Sequence, residues 1–246
     1  MSEPAVEIRP CTELQEFEAC VELQRQVWQF ADLDLVPAPV FVVVRRIGGQ
    51  ILGAFAGDFL VGFLLSFPAW EQNRVYLHSH MTAVLPAYQG KGIGRRLKWA
   101  QREEALSRGF ALVEWTFDPL VLRNAHFNIN CLGVIARNYV RNQYGASSSP
   151  LHAHLPTDRL LAEWWLESPR VHSLLAGQKL KPRGPVESIA IPAQIAELRH
   201  RDPAAAARSQ ARAREQFEQW FARGYAVTGF TSNPETATYL LEPHAD

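Results

Sequence analysis

Cysteine is sparse in this sequence, and neither sign of charge is in excess. Cys11, Cys20 and Cys131 are scattered through 246 residues. They have no metal-ligand spacing, so neither a disulfide framework nor a metal site is indicated. A small, odd count suits a reducing, cytoplasmic setting. The 25 Lys and Arg balance 25 Asp and Glu, so nothing pulls the whole chain toward nucleic acid or a membrane surface. Long hydrophobic runs are missing too: no uncharged apolar stretch reaches the ~18 residues of a membrane span. The start, MSEPAVEIRP, lacks the basic opening and apolar core of a signal peptide. These absences predict a chain with no metal, no nucleic-acid partner and no membrane partner.

What is present is enough apolar material, 47%, for a sizeable core in one large domain or two small ones. The chain is organised around Leu77 to Leu97, LHSHMTAVLPAYQGKGIGRRL. It reads as an apolar strand, a proline break, a glycine-rich turn and the start of a charged helix. Gln89, Gly92 and Gly94 are spaced Q-x-x-G-x-G. Glycine lets the backbone turn sharply and approach a ligand closely. The first N–H groups of the helix that follows have no partner within it, and with the helix dipole they favour a phosphate or pyrophosphate. Ile93, Leu97 and Ala100 have helical spacing, and Arg95, Arg96 and Lys98 add positive charge beyond the glycines. The G-x-G-x-x-G fingerprint of dinucleotide binding is the main rival, and the spacing here does not match it.

Ala83-Val84-Leu85-Pro86 followed by Gln89-Gly90-Lys91-Gly92-Ile93-Gly94 resembles the acyl-CoA motif of the GNAT superfamily of N-acyltransferases. The resemblance implies that Ala83 and Val84 lie on a strand that splays from its neighbour and pairs with pantetheine. It also implies that amides from Gln89 to Arg95 hold the pyrophosphate of coenzyme A, and that Asn124 meets the same cofactor. The implied fold is an α/β (α+β) GNAT fold, a central mixed, mostly antiparallel sheet flanked by helices, with a C-terminal αβ extension. The expected domains are 1–170 and 171–246. The implied co-substrate is acetyl-CoA or succinyl-CoA, and the implied acceptor is a small-molecule amine or amino acid. A homodimer is one assembly the resemblance allows.

In chain order, Val6 to Arg9 reads as a strand. Thr12 can cap a helix running to Phe30, with Leu14, Phe17, Val21 and Val27 inward. Pro39 to Ile47 is ambiguous between strand and helix, and the resemblance favours helix. Gln50 to Ala56 and Phe59 to Phe67 flank a Gly57-Asp58 hairpin turn. Strands follow at Arg74 to Val84 and Phe110 to Phe117, on either side of a helix that ends at Gly109. Val134 to Val140 and Arg159 to Leu166 also read as strands. Beyond a linker around 177–184, Ser188 to Leu198 contains a short strand. Pro203 to Arg223 reads as a helix, and Tyr225 to Phe230 and Thr238 to Leu241 as strands. The arginines from Arg199 to Arg214 read as a solvated helix face.

N-acyl transfer needs a deprotonated amine, a stabilised oxyanion and an outlet for the thiolate. His78 and His80 are two apart on the cofactor strand, so strand period puts them on one face with Tyr76 and Thr82. His78-Ser79-His80-Met81-Thr82-Ala83-Val84 is similar to the H-x-H-x-L-A-V strand of arylalkylamine N-acetyltransferases. The resemblance implies that the two histidines pass a proton from the amine through water. The structural alternative is that they only pack and hydrogen-bond. Glu114 could orient an amine or act as base if burial raised its pKa, or serve only in a salt bridge. Family members often place a tyrosine four residues before a glycine as general acid. Counting back from Gly133 gives Ile129, so Tyr139 or Tyr144 must substitute, or the thiolate leaves unassisted. Arg45, Arg46, Arg74, Arg123, Arg137 and Arg141 are candidates for clamping a carboxylate on the acceptor or acyl group. The whole-chain pattern, with RNAHFN and the C-terminal extension, looks like a bacterial GNAT-like family. Some of its members are thought to N-succinylate amino acids. A reading from a different class is a non-catalytic module that binds acyl-CoA and signals to a partner.

Overall fold

The structure, a computed structural model, describes residues 5–29, 32–71, 73–145, 155–182 and 184–244. The chain forms two compact units, Met1–Glu114 and Trp115–Asp246. Residues 171–246, expected as an extension, share the second unit with the strands that precede them.

The first unit opens with strand β1 (Val6–Pro10) and helix α1 (Leu14–Trp28). Glu13, not Thr12, is the N-cap of α1. The reason is the acid at the third helical position. The Glu16 carboxylate reaches back and accepts from the amides of Thr12 (2.6 Å) and Glu13 (3.2 Å), satisfying donors the helix leaves orphaned. The buried face is also rotated from the expected one: Phe17, Cys20, Leu23 and Gln24 are buried and Leu14 is 51% exposed. Gln24 can sit inside because its amide both donates to the Val36 carbonyl (3.1 Å) and accepts from the Val36 N–H (2.9 Å). The helix ends at Trp28, and Phe30, its expected end, lies outside the described residues. Helix α2 (Ala38–Arg46) settles the ambiguous stretch, with Pro39 in its first turn, where a missing N–H costs nothing.

Strands β2 (Gln50–Ala56), β3 (Phe59–Glu71) and β4 (Arg74–Val84) follow. Helix α3 (Ile93–Ser107) then leads to β5 (Leu112–Phe117), whose last residues belong to the second unit. β1 to β4 pair antiparallel in sequence order, and β5 adds in parallel to β4. One sheet face is covered by α1 and α2, where the rings of Phe17 and Phe41 lie 6.0 Å apart and those of Phe41 and Phe63 5.9 Å apart. Burying each such ring is worth roughly 1.5–3 kcal/mol. The other face receives α3.

In the second unit, α4 (Leu122–Ala125) runs into a π-helical turn, His126–Cys131. Strand β6 (Tyr139–Val140) pairs antiparallel with β7 (Arg159–Trp165), and the strand order is β5-β7-β6. The strand expected from Val134 is broken up. Ile135 bridges Glu163 while Ala136 bridges Val227, so successive residues bond to different partners and no ladder propagates. Helix α5 (Pro169–Leu175) precedes β8 (Glu187–Pro192), α6 (Ile195–Arg201), α7 (Pro203–Phe221), β9 (Tyr225–Ser232) and β10 (Thr236–Pro243). The last three strands make a small sheet in the order β8-β10-β9. The arginines of α6 and α7 are not all solvated: Arg199 is buried against Asp118 (2.7 Å) and Arg214 reaches the buried Asp158 (2.8 Å). Buried carboxylates need a cation or several donors, and these arginines supply them. No single helix among the described residues is long and apolar enough to cross a membrane.

At Gly62 of β3, an added Cβ would lie 2.9 Å from the Ala83 carbonyl oxygen and 3.2 Å from Val84 Cγ2 on β4. Gly62→Ala should therefore lower unfolding free energy by about 1–3 kcal/mol. Urea titration of the variant beside the parent checks this.

Candidate acyl-transfer site

β4 carries the site because it has two neighbours at one end and one at the other. Its parallel ladder with β5 consists of two pairs, Leu77 with Val113 and His78 with Glu114. From Ser79 to Val84 the strand keeps its ladder with β3, while the edge turned toward β5 has no ladder partner among the described residues. An open strand edge offers N–H and C=O groups to an extended ligand.

The chain then passes through a short 3₁₀ turn, Pro86–Tyr88, into the glycine turn. Gln89 turns back and its Nε2 donates to the Val84 carbonyl (2.9 Å), tying the turn to the strand end. Gly90 and Gly92 have φ of 76° and 77°, and a Cβ at either would meet nothing within 4 Å. Glycine is needed here for the backbone conformation and not for room inside the protein. Gly92 is the N-cap of α3 with no side-chain cap, and the first bond into the helix runs from Arg96 N–H to the Gly92 carbonyl (3.0 Å). Ile93 is buried, so it anchors the first turn, while a Cβ added at Gly94 would lie 4.0 Å from Val84 Cγ2. The first-turn N–H groups and the positive end of a 15-residue helix thus open beside the free edge of β4. Lys91 lies over the Tyr88 ring at 5.2 Å and Arg95 is exposed. The other two expected cations are turned away: Arg96 donates to the Val6 carbonyl (2.6 Å), and Lys98 is buried under the sheet. Helical period explains this, because Lys98 follows Leu97 on the face that packs on the strands.

The two histidines do meet, but the strand does not keep its period. Leu65 pairs with Met81 and Ser66 with Ser79, so β4 holds one extra residue, His80, opposite that step. Such a bulge kinks a strand and re-aims side chains. The rings of His78 and His80 lie 6.3 Å apart, and Phe67 meets His80 edge-on at 5.4 Å. Thr82, expected on the histidine face, is displaced by the bulge. It pairs with Leu64 on the opposite face, and Met81 and Ala83 take its place.

Below His78 on the same face stand Tyr76 and Arg74, and across from it stands Glu114. Glu114 is buried and lies 3.8 Å from Arg74 Nη2. Desolvation first, and then the carboxylates of Glu114 and Glu71, raise the Tyr76 phenol above its usual pKa, keeping it protonated. His78 is pushed below 6.5 by desolvation, then by His80 and Lys98, and His80 is lowered by desolvation. Both imidazoles are therefore neutral near pH 7 and able to take a proton.

The candidates in the second unit fare differently. The Tyr139 hydroxyl donates to Asp158 Oδ2 (2.8 Å), which Arg214 also holds. Burial and that carboxylate raise its pKa, and a phenol so committed is a poor general acid. Tyr144 is exposed, with its hydroxyl 3.1 Å from Thr116 Oγ1. Asn124 is exposed on α4 and does not cap it, since Val121 is the N-cap. Asn130 donates to the Phe230 carbonyl (2.7 Å) and Asn128 is buried. Among the arginines, Arg137 grips Glu163 with two nitrogens, Arg141 is paired with Glu218, and Arg45 donates to the Thr12 carbonyl. Arg74 alone of the six is on the histidine face of β4.

Residues 9–127 match the model of the Acetyltransferase (GNAT) family. No curated protein sequence matches the chain. Solved structures do. The ribosomal-protein-S18-alanine N-acetyltransferase of Escherichia coli superposes with a TM-score of 0.54 at 15% identity, over 67% of this chain and 96% of its own. The yncA protein of Salmonella typhimurium, whose structure holds its cofactor acetyl-CoA, gives 0.54 at 16% identity, over 67% and 95%. A GNAT-family acetyltransferase of Streptococcus pneumoniae gives 0.52 at 14%, over 65% and 98%. At these identities the structures speak for the fold, and the matched family speaks for the chemistry. With a strand edge opened beside a glycine turn and a helix N-terminus, and a family match that spans all three, residues 9–127 form a GNAT acetyltransferase domain, the kind that carries out acyl-CoA-dependent N-acyl transfer.

Proposed function

We propose that this enzyme moves an acetyl group from acetyl-CoA to the amine of a small molecule or amino acid, with the paired histidines of β4 accepting the proton. The supporting observation is the placement of His78 and His80, side by side where β4 loses its β5 partner. In this reading pantetheine pairs along Ala83 and Val84, and the pyrophosphate rests on the amides from Gly90 to Arg95. The thioester then sits next to the bulge. The amine arrives as an ammonium ion and is drawn to a face that carries Glu114 and Glu71. His78, relayed by His80, takes one proton. The amine nitrogen forms a bond to the acetyl carbon, the carbon–sulfur bond breaks, and the second proton shed by that nitrogen goes to the departing sulfur, so coenzyme A leaves as its thiol. No protein nucleophile takes part, because the thioester is already activated. Acetyl is preferred over succinyl because a neighbour of the same fold, yncA of Salmonella typhimurium, holds acetyl-CoA.

Thiol release from acetyl-CoA and succinyl-CoA over a panel of amines and amino acids tests the reading. His78→Gln and His80→Gln should each lower kcat by about 10²–10⁴-fold with the coenzyme A dissociation constant unchanged. Coenzyme A binding without acceptor-dependent release would turn the reading toward a binding module.

The pH dependence has a definite sign. Because both imidazoles titrate below 6.5, the acid limb of kcat/KM should fall below pH 6.5, with activity present above it. That limb should disappear in His78→Gln. A second outcome concerns the turn. Gly92→Ala places a Cβ in open space but imposes a left-handed backbone on alanine, at a cost of about 1–2 kcal/mol. Coenzyme A affinity, read by calorimetry, should fall by more than this backbone cost, since the new methyl group occupies the space assigned to the pyrophosphate.

A further inference from the structure

Behind the histidines, on the opposite face of the sheet, lies a closed polar cluster that the proposed chemistry does not touch. Lys98 of α3 is 3% exposed, and its Nζ donates to Ser79 Oγ (3.1 Å) and to Gln101 Oε1 (2.6 Å). Gln101 Nε2 donates to Ser66 Oγ (2.5 Å) and to Gln50 Oε1 (3.2 Å), and Gln50 Nε2 donates to the Gln101 carbonyl (3.2 Å). All five residues are buried.

The cluster's position in the ladder gives it meaning. Ser66 and Ser79 are cross-strand partners, and they form the last pair before the extra residue in β4. Ser79 is also the residue between His78 and His80. A bulge has fewer ladder bonds than the regular strand around it, so its geometry must be fixed by something else. Here α3 grips both strands at that step, through Gln101 on β3 and Lys98 on β4. A lysine is an expensive choice for a buried tie, since leucine or methionine would fill the same volume without desolvating an amine.

We propose that Lys98 is a positioning residue for acyl transfer: through Ser79 it fixes the bulge that sets His78 and His80 side by side. The proposal rests on the reading of those histidines as the proton acceptors. It joins the two halves of the site, because the helix that opens at the glycine turn also carries, six residues on, the amine that fixes the bulge.

A purely structural lysine and a positioning one differ in what they do to the imidazole. The charged and titratable groups around His78 are His80, Tyr76 and Arg74 on β4, Glu114 on β5, Glu71 on β3 and Lys98 from α3. Of these, His80 and Lys98 hold its pKa down in addition to desolvation. Lys98 itself is held well below 10.5 by burial, and on protonation its charge opposes that of an imidazolium. Removing the lysine takes away a repulsion, so the acid limb should rise toward pH 6.5.

The test uses the full chain, with Lys98→Met to keep the volume and Ser79→Ala to break the tie while keeping the amine. Lys98→Met should lower kcat at least about tenfold and raise the acid limb of kcat/KM. KM for acetyl-CoA and the coenzyme A dissociation constant should stay within about twofold, since each tenfold corresponds to only about 1.4 kcal/mol. Ser79→Ala should lower kcat in the same direction and leave the limb in place, because the charge remains. A folded Lys98→Met enzyme with kcat and acid limb unmoved overturns the proposal, as does a loss carried entirely by acetyl-CoA affinity. Should Lys98→Met fail to fold, Ser79→Ala with full activity would overturn it alone. If the parent's acid limb survives in His78→Gln, the failure lies in the histidine assignment and not in the role of Lys98.

Discussion

One extra residue in one strand decides how this site is built. In a regular β4 the side chains would alternate strictly, and the strand would present Tyr76, His78, His80 and Thr82 as a flat row. The insertion at His80 shifts everything after it by one face. The consequence is a division of labour along a single strand. Before the bulge, polar and ionisable groups gather on the face they share with Glu114 of β5. After it, Met81 and Ala83 share that face, so the stretch beside the open edge is apolar. Charged chemistry and apolar ligand contact are thereby separated by one residue.

The surrounding elements follow from this. β4 can be open on one side only because β3 holds it on the other, and the pairing is tight at Gly62. α3 has two duties that pull on its sequence in opposite directions. Its first turn must leave N–H groups exposed, which the glycines permit. Its second and third turns must be buried against strands, which Leu97, Lys98 and Gln101 achieve. α1 and α2 close the face opposite α3 with an aromatic stack of Phe17, Phe41 and Phe63.

Much of this was legible in the sequence, and for physical reasons. Gly57-Asp58 marks the hairpin and Gly109 the end of α3, because turn and cap chemistry is local, while Pro39 to Ile47 reads as strand or helix until the resemblance decides it. The spacing of Gln89, Gly92 and Gly94 gave the turn, and His78 with His80 gave the pair. What escaped was anything that depends on a partner far away in the chain. The bulge is invisible to a period-two reading, since it exists only relative to β3. Thr82 was therefore placed on the wrong face. The sequence shows Lys98 only as positive charge beyond the glycines; its acceptors, Ser79 and Gln101, are recognisable only once α3 lies on β4. Tyr139 was a reasonable acid until Asp158 and Arg214 were seen to hold it. Arg199 and Arg214 were likewise assigned to solvent, for want of any local sign of Asp118 and Asp158.

The unpartnered edge from Ser79 to Val84 has another side. A row of unsatisfied N–H and C=O groups is a template on which a strand from another molecule can dock and start aggregation. Several features here blunt it. The bulge twists the row out of register with a flat intruding strand, and Gln89 folds its amide back onto the Val84 carbonyl, using up the last acceptor. What remains is long enough for the few hydrogen bonds that an extended small molecule can offer, and a ligand lying along it would cover the groups an intruding strand would use.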